Sequence, residues 1–196
     1  VIATKTLMAF LDCMPSLEKL QLNSLSIFCD DVPSRLLKCR SLKEIEMSHL
    51  SLSLATMVML FNYIPGPINA TLTGVAFTGE LPCTAVCHKT SKEDKLCLTR
   101  CTIEATTLLE LLCAIPSLRE VSLDGITLTG NLRRDIGQCR FLKKVYIKDV
   151  KTRFLCGVLE CMPSVEEVTI MNAYQRHTSQ SGGSISVLNI NSIRRF

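Results

Sequence analysis

The sequence lacks a glycine-rich phosphate loop: Gly125, Gly130, Gly137 and Gly157 are isolated, so no run of backbone amides is set up to cradle a nucleotide. It also lacks a paired zinc signature. Cys83, Cys87 and His88 lie close together, but no second ligand pair follows at finger-like spacing, and His49 and His177 are remote. We therefore expect no metal and no cofactor. Cysteine–histidine catalysis needs a placement that this pattern does not supply, so no catalytic residue is assigned and a non-enzymatic role is expected. No Pro/Gly/Ser linker interrupts the chain, and residues 1–196 read as a single domain. A long apolar span is missing too. The uncharged stretch Leu50–Gly79 is broken by Ser51, Ser53, Asn62 and Pro65-Gly66-Pro67, leaving less than the roughly 20 apolar residues a bilayer requires. No signal peptide opens the sequence, which starts at Val1 inside a recurring unit, so we read it as a piece of a longer protein. The net charge of +4 is too mild to imply a nucleic-acid or membrane partner, and neither is expected.

Cysteine is not scarce. The 11 cysteines are odd in number and spread along the chain rather than gathered in pairs at its ends. Cys13, Cys39, Cys139 and Cys161 fall six or seven residues before a recurring apolar anchor, the placement of buried core thiols. Reduced thiols and a cytoplasmic setting follow as the expectation. The sequon Asn69-Ala70-Thr71 falls within an expected strand and reads as coincidence.

What the chain does contain is a ladder. In Pro116–Leu128 the apolar positions are Leu118, Val121, Leu123, Ile126 and Leu128. Taking Val121 as anchor, equivalent residues are Leu20, Ile45, Ala70, Leu96, Val145, Val168 and Leu188. The eight anchors lie 25, 25, 26, 25, 24, 23 and 20 residues apart. Two residues after each comes Leu22, Met47, Leu72, Leu98, Leu123, Ile147, Ile170 or Ile190; five after comes Leu25, Leu50, Val75, Cys101, Ile126, Val150, Ala173 or Ile193. This period with an L-x-x-L-x-L core predicts an α/β leucine-rich-repeat solenoid, a horseshoe with a parallel concave sheet of about eight strands and helices on the convex side. The period-2 step supplies a strand. Between strands, Leu108, Leu111, Leu112 and Ile115 have helical spacing, with Thr107 and Glu110 as a capping box and Pro116 as the stop. Met14-Pro15 and Met162-Pro163 stop equivalent helices, the first expected over Thr4–Met14. Asp30, Asp31 and Pro33 are suited to opening the helix of the first full unit, and a weak helix is expected around Pro82–His88.

The residues between the inward positions line one face. Lys19, Glu44, Asn69, Lys95, Glu120, Lys144, Glu167 and Val187 form a column of alternating sign, expected to satisfy itself across strands about 4.8 Å apart. The next columns are Gln21, Glu46, Thr71, Cys97, Ser122, Tyr146, Thr169, Asn189, and Asn23, Ser48, Thr73, Thr99, Asp124, Lys148, Met171, Asn191. Tyr146 is the only aromatic on this face. With Lys144 and Lys148 beside it and Asp124 and Met171 on adjoining strands, it has the makings of an interface anchor. The candidate binding residues are Glu46, Ser122, Asp124, Lys144, Tyr146, Lys148, Thr169 and Met171. Around them the sequence is basic, with Arg133, Arg134, Arg140, Lys143, Lys151 and Arg153; a solvated exterior is the simpler account, an acidic protein or nucleic acid the other. Residues 174–196 change character, with a polar Tyr174–Ser184 and then SISVLNINSIRRF, as an atypical capping repeat would.

The period and the P-S-L-x-x-L-x-L phrasing resemble the helix-containing repeats of intracellular NOD-like receptors, in a divergent and possibly invertebrate form. Related arrays occur in ribonuclease-inhibitor-like proteins. The resemblance runs through about Ile193. The family usually places asparagine or cysteine five residues after the anchor; here only Cys101 conforms among Leu25, Leu50, Val75, Ile126 and Val150. The resemblance implies a domain that senses a protein or microbial ligand and restrains an upstream nucleotide-binding oligomerisation domain. Two alternatives are the substrate-recognition repeats of an F-box ubiquitin-ligase adaptor and a ribonuclease-inhibitor-like inhibitor or scaffold.

Overall fold

The computed structural model describes residues 1–30, 38–79, 81, 93–132, 137–150, 155–177 and 184–194, with backbone alone from 173 onward. In chain order the elements are β1 (Ile2–Ala3), α1 (Thr4–Asp12), β2 (Lys19–Asn23), β3 (Ser26–Phe28), β4 (Glu44–Ser48), β5 (Ser51–Ser53), α2 (Leu54–Tyr63), β6 (Asn69–Thr73) and β7 (Ala76–Thr78). There follow β8 (Asp94–Thr99), β9 (Thr102–Glu104), α3 (Ala105–Cys113), β10 (Leu118–Asp124), β11 (Thr127–Thr129), β12 (Lys144–Lys148), α4 (Leu155–Glu160), β13 (Glu167–His177) and β14 (Ser184–Arg194). This is an α/β arrangement of two sheets. The eight-stranded sheet has the order β14-β13-β12-β10-β8-β6-β4-β2, and the six-stranded sheet runs β1-β3-β5-β7-β9-β11.

The apolar ladder sets the register of the larger sheet. Leu20 lies opposite Ile45, Ile45 opposite Ala70, Ala70 opposite Leu96, Leu96 opposite Val121, Val121 opposite Val145, and Val145 opposite Val168, all between parallel strands. A one-residue slip would turn the whole inward set to solvent, so burial of these side chains fixes the pairing. The anchors from Ile45 to Val145 are at most 3% exposed.

β2, β4, β6, β8, β10 and β12 each then turn a corner of two residues, while β13 runs on through the equivalent Asn172. The first corner residue is in the left-handed region, at Ser24, His49, Gly74, Arg100, Gly125 and Asp149, as is Asn172, with φ between 50° and 63°. The second points inward; Leu50, Val75, Cys101, Ile126 and Val150 are buried, and Leu25 is half-buried. The corner backbone is satisfied by its neighbours. His49 N–H donates to Thr73 O at 2.9 Å, Gly74 N–H to Thr99 O at 2.8 Å, and Ala76 N–H to Leu50 O at 2.9 Å. These corner groups therefore need no side-chain partner at the following inward residue.

The corner leads into the short strands, whose single inward residues, such as Ile27, Leu52 and Ile103, are at most 4% exposed. This second sheet was not part of the sequence expectation. The described helices begin at residues 4, 54, 105 and 155. Residues 31–37, 82–92 and 133–136, where the intervening units place their expected helices, lie outside the described residues.

Other local expectations need correction. α1 and α3 end at Asp12 and Cys113, short of their prolines. Thr107 and Glu110 form no capping box, because β9 runs straight into α3 at Ala105 with Glu104 at the cap and no side-chain cap bond. Asp30 serves the preceding helix: its Oδ1 accepts the Lys5 N–H of the first turn of α1 at 3.0 Å. Asp31, Pro33 and the region around Pro82–His88 lie outside the described residues. Cys39 and Cys139 are buried as expected, but Cys13 is exposed and Cys161 half-buried. The two pairs differ by one residue in phase, which is enough to move a side chain off the core.

The final strand is antiparallel. Val168 faces Ile193 and Ile170 faces Ile190, with two register shifts, so Leu188 is not an eighth anchor and Val187, Asn189 and Asn191 do not continue the columns. Residues 178–183 are too few for the crossover of about a dozen that parallel pairing needs, and a hairpin is the short-connection solution.

α2 is buried all round, from Leu54 to Asn62. Its Thr56 Oγ1 lies 2.5 Å from Thr4 Oγ1 of α1, which itself donates to Phe28 O at 2.9 Å. This element accounts for the uncharged Leu50–Gly79 stretch as core. No described helix is long and apolar enough to cross a membrane.

Candidate interaction face

The side of the larger sheet that carries the polar columns is built by alternation: as one residue of a strand turns inward, the next is left on the opposite face. Register places Ser122, Tyr146 and Thr169 in one line across β10, β12 and β13, and Asp124, Lys148 and Met171 in the next. Lys144 lies between Glu120 and Glu167. Seven of the eight candidate residues are thus neighbours. Glu46 is not. It sits on β4, four strand steps from β12, or about 19 Å at the usual strand spacing.

The charges on this face pair with each other. Lys95 Nζ lies 3.0 Å from Glu120 Oε2, Lys144 Nζ 3.5 Å from Glu167 Oε2, and Lys148 Nζ 3.6 Å from Asp124 Oδ2. At the other end Lys19 is 3.4 Å from Glu44, its register partner, but 2.5 Å from the diagonal Glu46. Gln21 Nε2 also donates to Glu46 Oε2 at 2.6 Å. The Lys19 ammonium, then the Gln21 amide, hold the Glu46 carboxyl below its ordinary value, and the Glu46 bond holds Lys19 above its own. Exposed pairs of this kind contribute about 0.2–1 kcal/mol each. Of the basic cluster, Lys143 pairs with Glu166, and Lys144 and Lys148 are paired as above. Arg133, Arg134, Lys151 and Arg153 lie outside the described residues.

Tyr146 is half-buried, and its hydroxyl points at Met171 Sδ, 4.0 Å away. The ring is therefore held between a small hydroxyl side chain on either hand and a thioether ahead, with ion pairs on both flanks. On β8 and β6, two and three strand steps from β12, the face carries no charge at Asn69, Thr71, Thr73, Cys97 and Thr99.

Sequence reasoning passed over one aromatic. Phe141, 44% exposed, lies on the approach to β12, and the Arg119 guanidinium stands 6.0 Å from its ring centroid. Arg119 Nη1 is fixed there by Pro116 O at 2.8 Å and Phe141 O at 3.3 Å. Only the i, i+22 proximity imposed by neighbouring strands brings these two together, and no local motif announces it.

Cys83, Cys87 and His88 lie outside the described residues; among the described residues no group of three or more histidine, cysteine or carboxylate side chains could hold a metal. Comparison with family models, curated proteins and solved structures gives no match.

Proposed function

We propose that this chain is a leucine-rich-repeat solenoid whose eight-stranded sheet forms a concave, non-enzymatic binding surface, and that it is the ligand-sensing region of a cytoplasmic innate immune receptor. The observation that carries the binding role is the Ser122–Tyr146–Thr169 line, with Met171 at the tyrosine hydroxyl. This aromatic is held on rigid strands, flanked by charges that already neutralise one another. A preformed surface of this kind loses little freedom on binding, which favours affinity. The ligand is a protein or microbial molecule recognised by shape and by the tyrosine rather than by net charge. The receptor setting rests on the sequence resemblance, and an upstream nucleotide-binding oligomerisation domain is its natural partner in the parent chain.

Two experiments test the parts separately. A photo-crosslinking residue at Thr169 should capture a partner in cells, and the capture should be lost with Tyr146→Ala. The same residue at Thr127, on the six-stranded sheet, should capture nothing. Capture from Thr127 alone overturns the choice of face. For the setting, the parent transcript upstream of Val1 is decisive: a nucleotide-binding domain supports the receptor, and an F-box replaces it with a ubiquitin-ligase adaptor. A membrane anchor or secretion signal overturns the cytoplasmic reading.

A further inference from the structure

Away from the polar face, two thiols meet where α3 ends. Cys113 is the last residue of α3, and Cys139 lies on the approach to β12 in the following unit. Their contacts cross. Cys113 Sγ donates to Gly137 O at 3.4 Å, two residues before Cys139, and Cys139 Sγ donates to Leu112 O at 3.7 Å, the residue just before Cys113. Each side chain therefore reaches the backbone beside the other. Cys139 is anchored further by its N–H, which donates to Cys161 O at 2.8 Å. Cys139 is 1% exposed, whereas Cys113 is half-buried and opens the pair to solvent. The neighbouring Cys113 thiol lowers Cys139, while the neighbouring Cys139 thiol, then burial, raises Cys113.

An internal comparison shows that sequence spacing alone does not create this arrangement. Cys13 and Cys39 are also 26 residues apart, but Cys13 lies just past the end of α1, where Cys113 is still the last residue of α3. There Cys13 is exposed, and the Cys39 thiol donates to Leu17 O at 3.7 Å.

We propose that Cys113 and Cys139 form a dithiol modification site that hydrogen peroxide closes to an intramolecular disulfide, clipping α3 to the segment that leads into β12. In the first step the Cys139 thiolate attacks one peroxide oxygen and the O–O bond breaks. This yields Cys139 sulfenic acid and hydroxide, which takes up a proton to become water. Cys113 sulfur then attacks the Cys139 sulfur; the S–O bond breaks, and the hydroxyl leaves as water with the Cys113 proton. Two thiols lose two electrons in all, and one peroxide becomes two waters.

The test is peroxide treatment of the full chain, followed by alkylation of remaining thiols and peptide mapping by mass spectrometry. The expected product is a cross-linked Cys113–Cys139 peptide that dithiothreitol cleaves, with no Cys13–Cys39 counterpart. In Cys113→Ser, Cys139 should stop at sulfenic acid and be labelled by dimedone. The wild-type map decides the matter even where a variant folds poorly. A map in which only the exposed Cys13 and Cys156 are oxidised overturns the proposal. So does a Cys139–Cys161 link, or dimedone labelling of Cys113 in place of Cys139.

Discussion

Ser117 Oγ donates a 2.6 Å hydrogen bond to Asp94 Oδ2, and both side chains are wholly buried, at 1% and 0% exposure. The other carboxylate oxygen accepts the Ile68 N–H at 2.8 Å, while Asp94 N–H donates to Ser117 O at 3.1 Å. One carboxylate therefore ties together the approaches to β6, β8 and β10. Asp94→Ala leaves two buried donors without their acceptor, and we expect it to cost about 2–5 kcal/mol in urea unfolding. Asp94→Asn should recover part of the loss, because its amide presents one acceptor and not two. Equal stability of Asp94→Ala and the parent would mean that water replaces the carboxylate.

The left-handed corners make an opposed pair of predictions. Gly74→Ala places a Cβ at φ 59° and 3.0 Å from His49 Nδ1, so both strain and crowding oppose it. We expect a loss of about 1–2 kcal/mol or more. Arg100→Gly works the other way, relieving a side chain held at φ 52° on an exposed corner. Left-handed relief of about 1–2 kcal/mol offsets the added freedom of glycine in the unfolded chain, so the net gain should be under about 1 kcal/mol. Paired thermal melts distinguish the signs. Stabilisation by Gly74→Ala would refute the corner geometry.

How much of this could be read beforehand follows from the length of each pattern. The strand register was legible because Leu20, Ile45, Ala70, Leu96, Val121, Val145 and Val168 repeat a period-2 step often enough to define one inward set. The second sheet was not, because strands such as Ser26–Phe28 hold one inward residue each and alternation over three positions carries little signal. Their recurrence could have been found: Ile27, Leu52, Phe77, Ile103 and Leu128 each lie seven residues after an anchor. The direction of β14 was hidden for a different reason. Apolar alternation is the same read in either direction, and connection length, not periodicity, decides it. On the polar face the columns place Tyr146 beside Thr169 and Ser122 correctly, but Glu46 lies in the same column four strands away, and counting strands separates it from the rest.

Glu46 supplies a pH-dependent signature. Its carboxyl titrates below the ordinary 4.5 because of Lys19 and then Gln21. The folded chain thus holds fewer protons at this group than the unfolded chain in the acidic range. The contribution to stability is present above about pH 4.5 and is lost as pH falls through the lowered folded value. Lys19→Met should move the Glu46 carboxyl back up toward 4.5, read directly by carboxyl-carbon NMR during an acid titration. The side chains are exposed, so moderate salt should shrink the displacement. An unchanged Glu46 titration in Lys19→Met would show that the lysine contact does not persist in solution.

The ladder as a whole makes a prediction about recognition. Lys95 and Glu120 lie 3.0 Å apart on adjacent strands, with both side chains partly exposed. Exchanging them, Lys95→Glu with Glu120→Lys, keeps the attraction but reverses its direction. Each single change puts two like charges side by side. A double-mutant cycle should therefore return a coupling of about 0.2–1 kcal/mol, with the exchanged protein near the parent in stability. Because every such pair neutralises itself, the face offers little net field to an approaching ligand. Binding through Tyr146 should accordingly weaken only slightly between low and high salt, while Tyr146→Ala should cost more than about 1 kcal/mol of affinity. A strongly salt-dependent affinity that survives Tyr146→Ala would place recognition on charges elsewhere, and the tyrosine would then be a bystander on its own face.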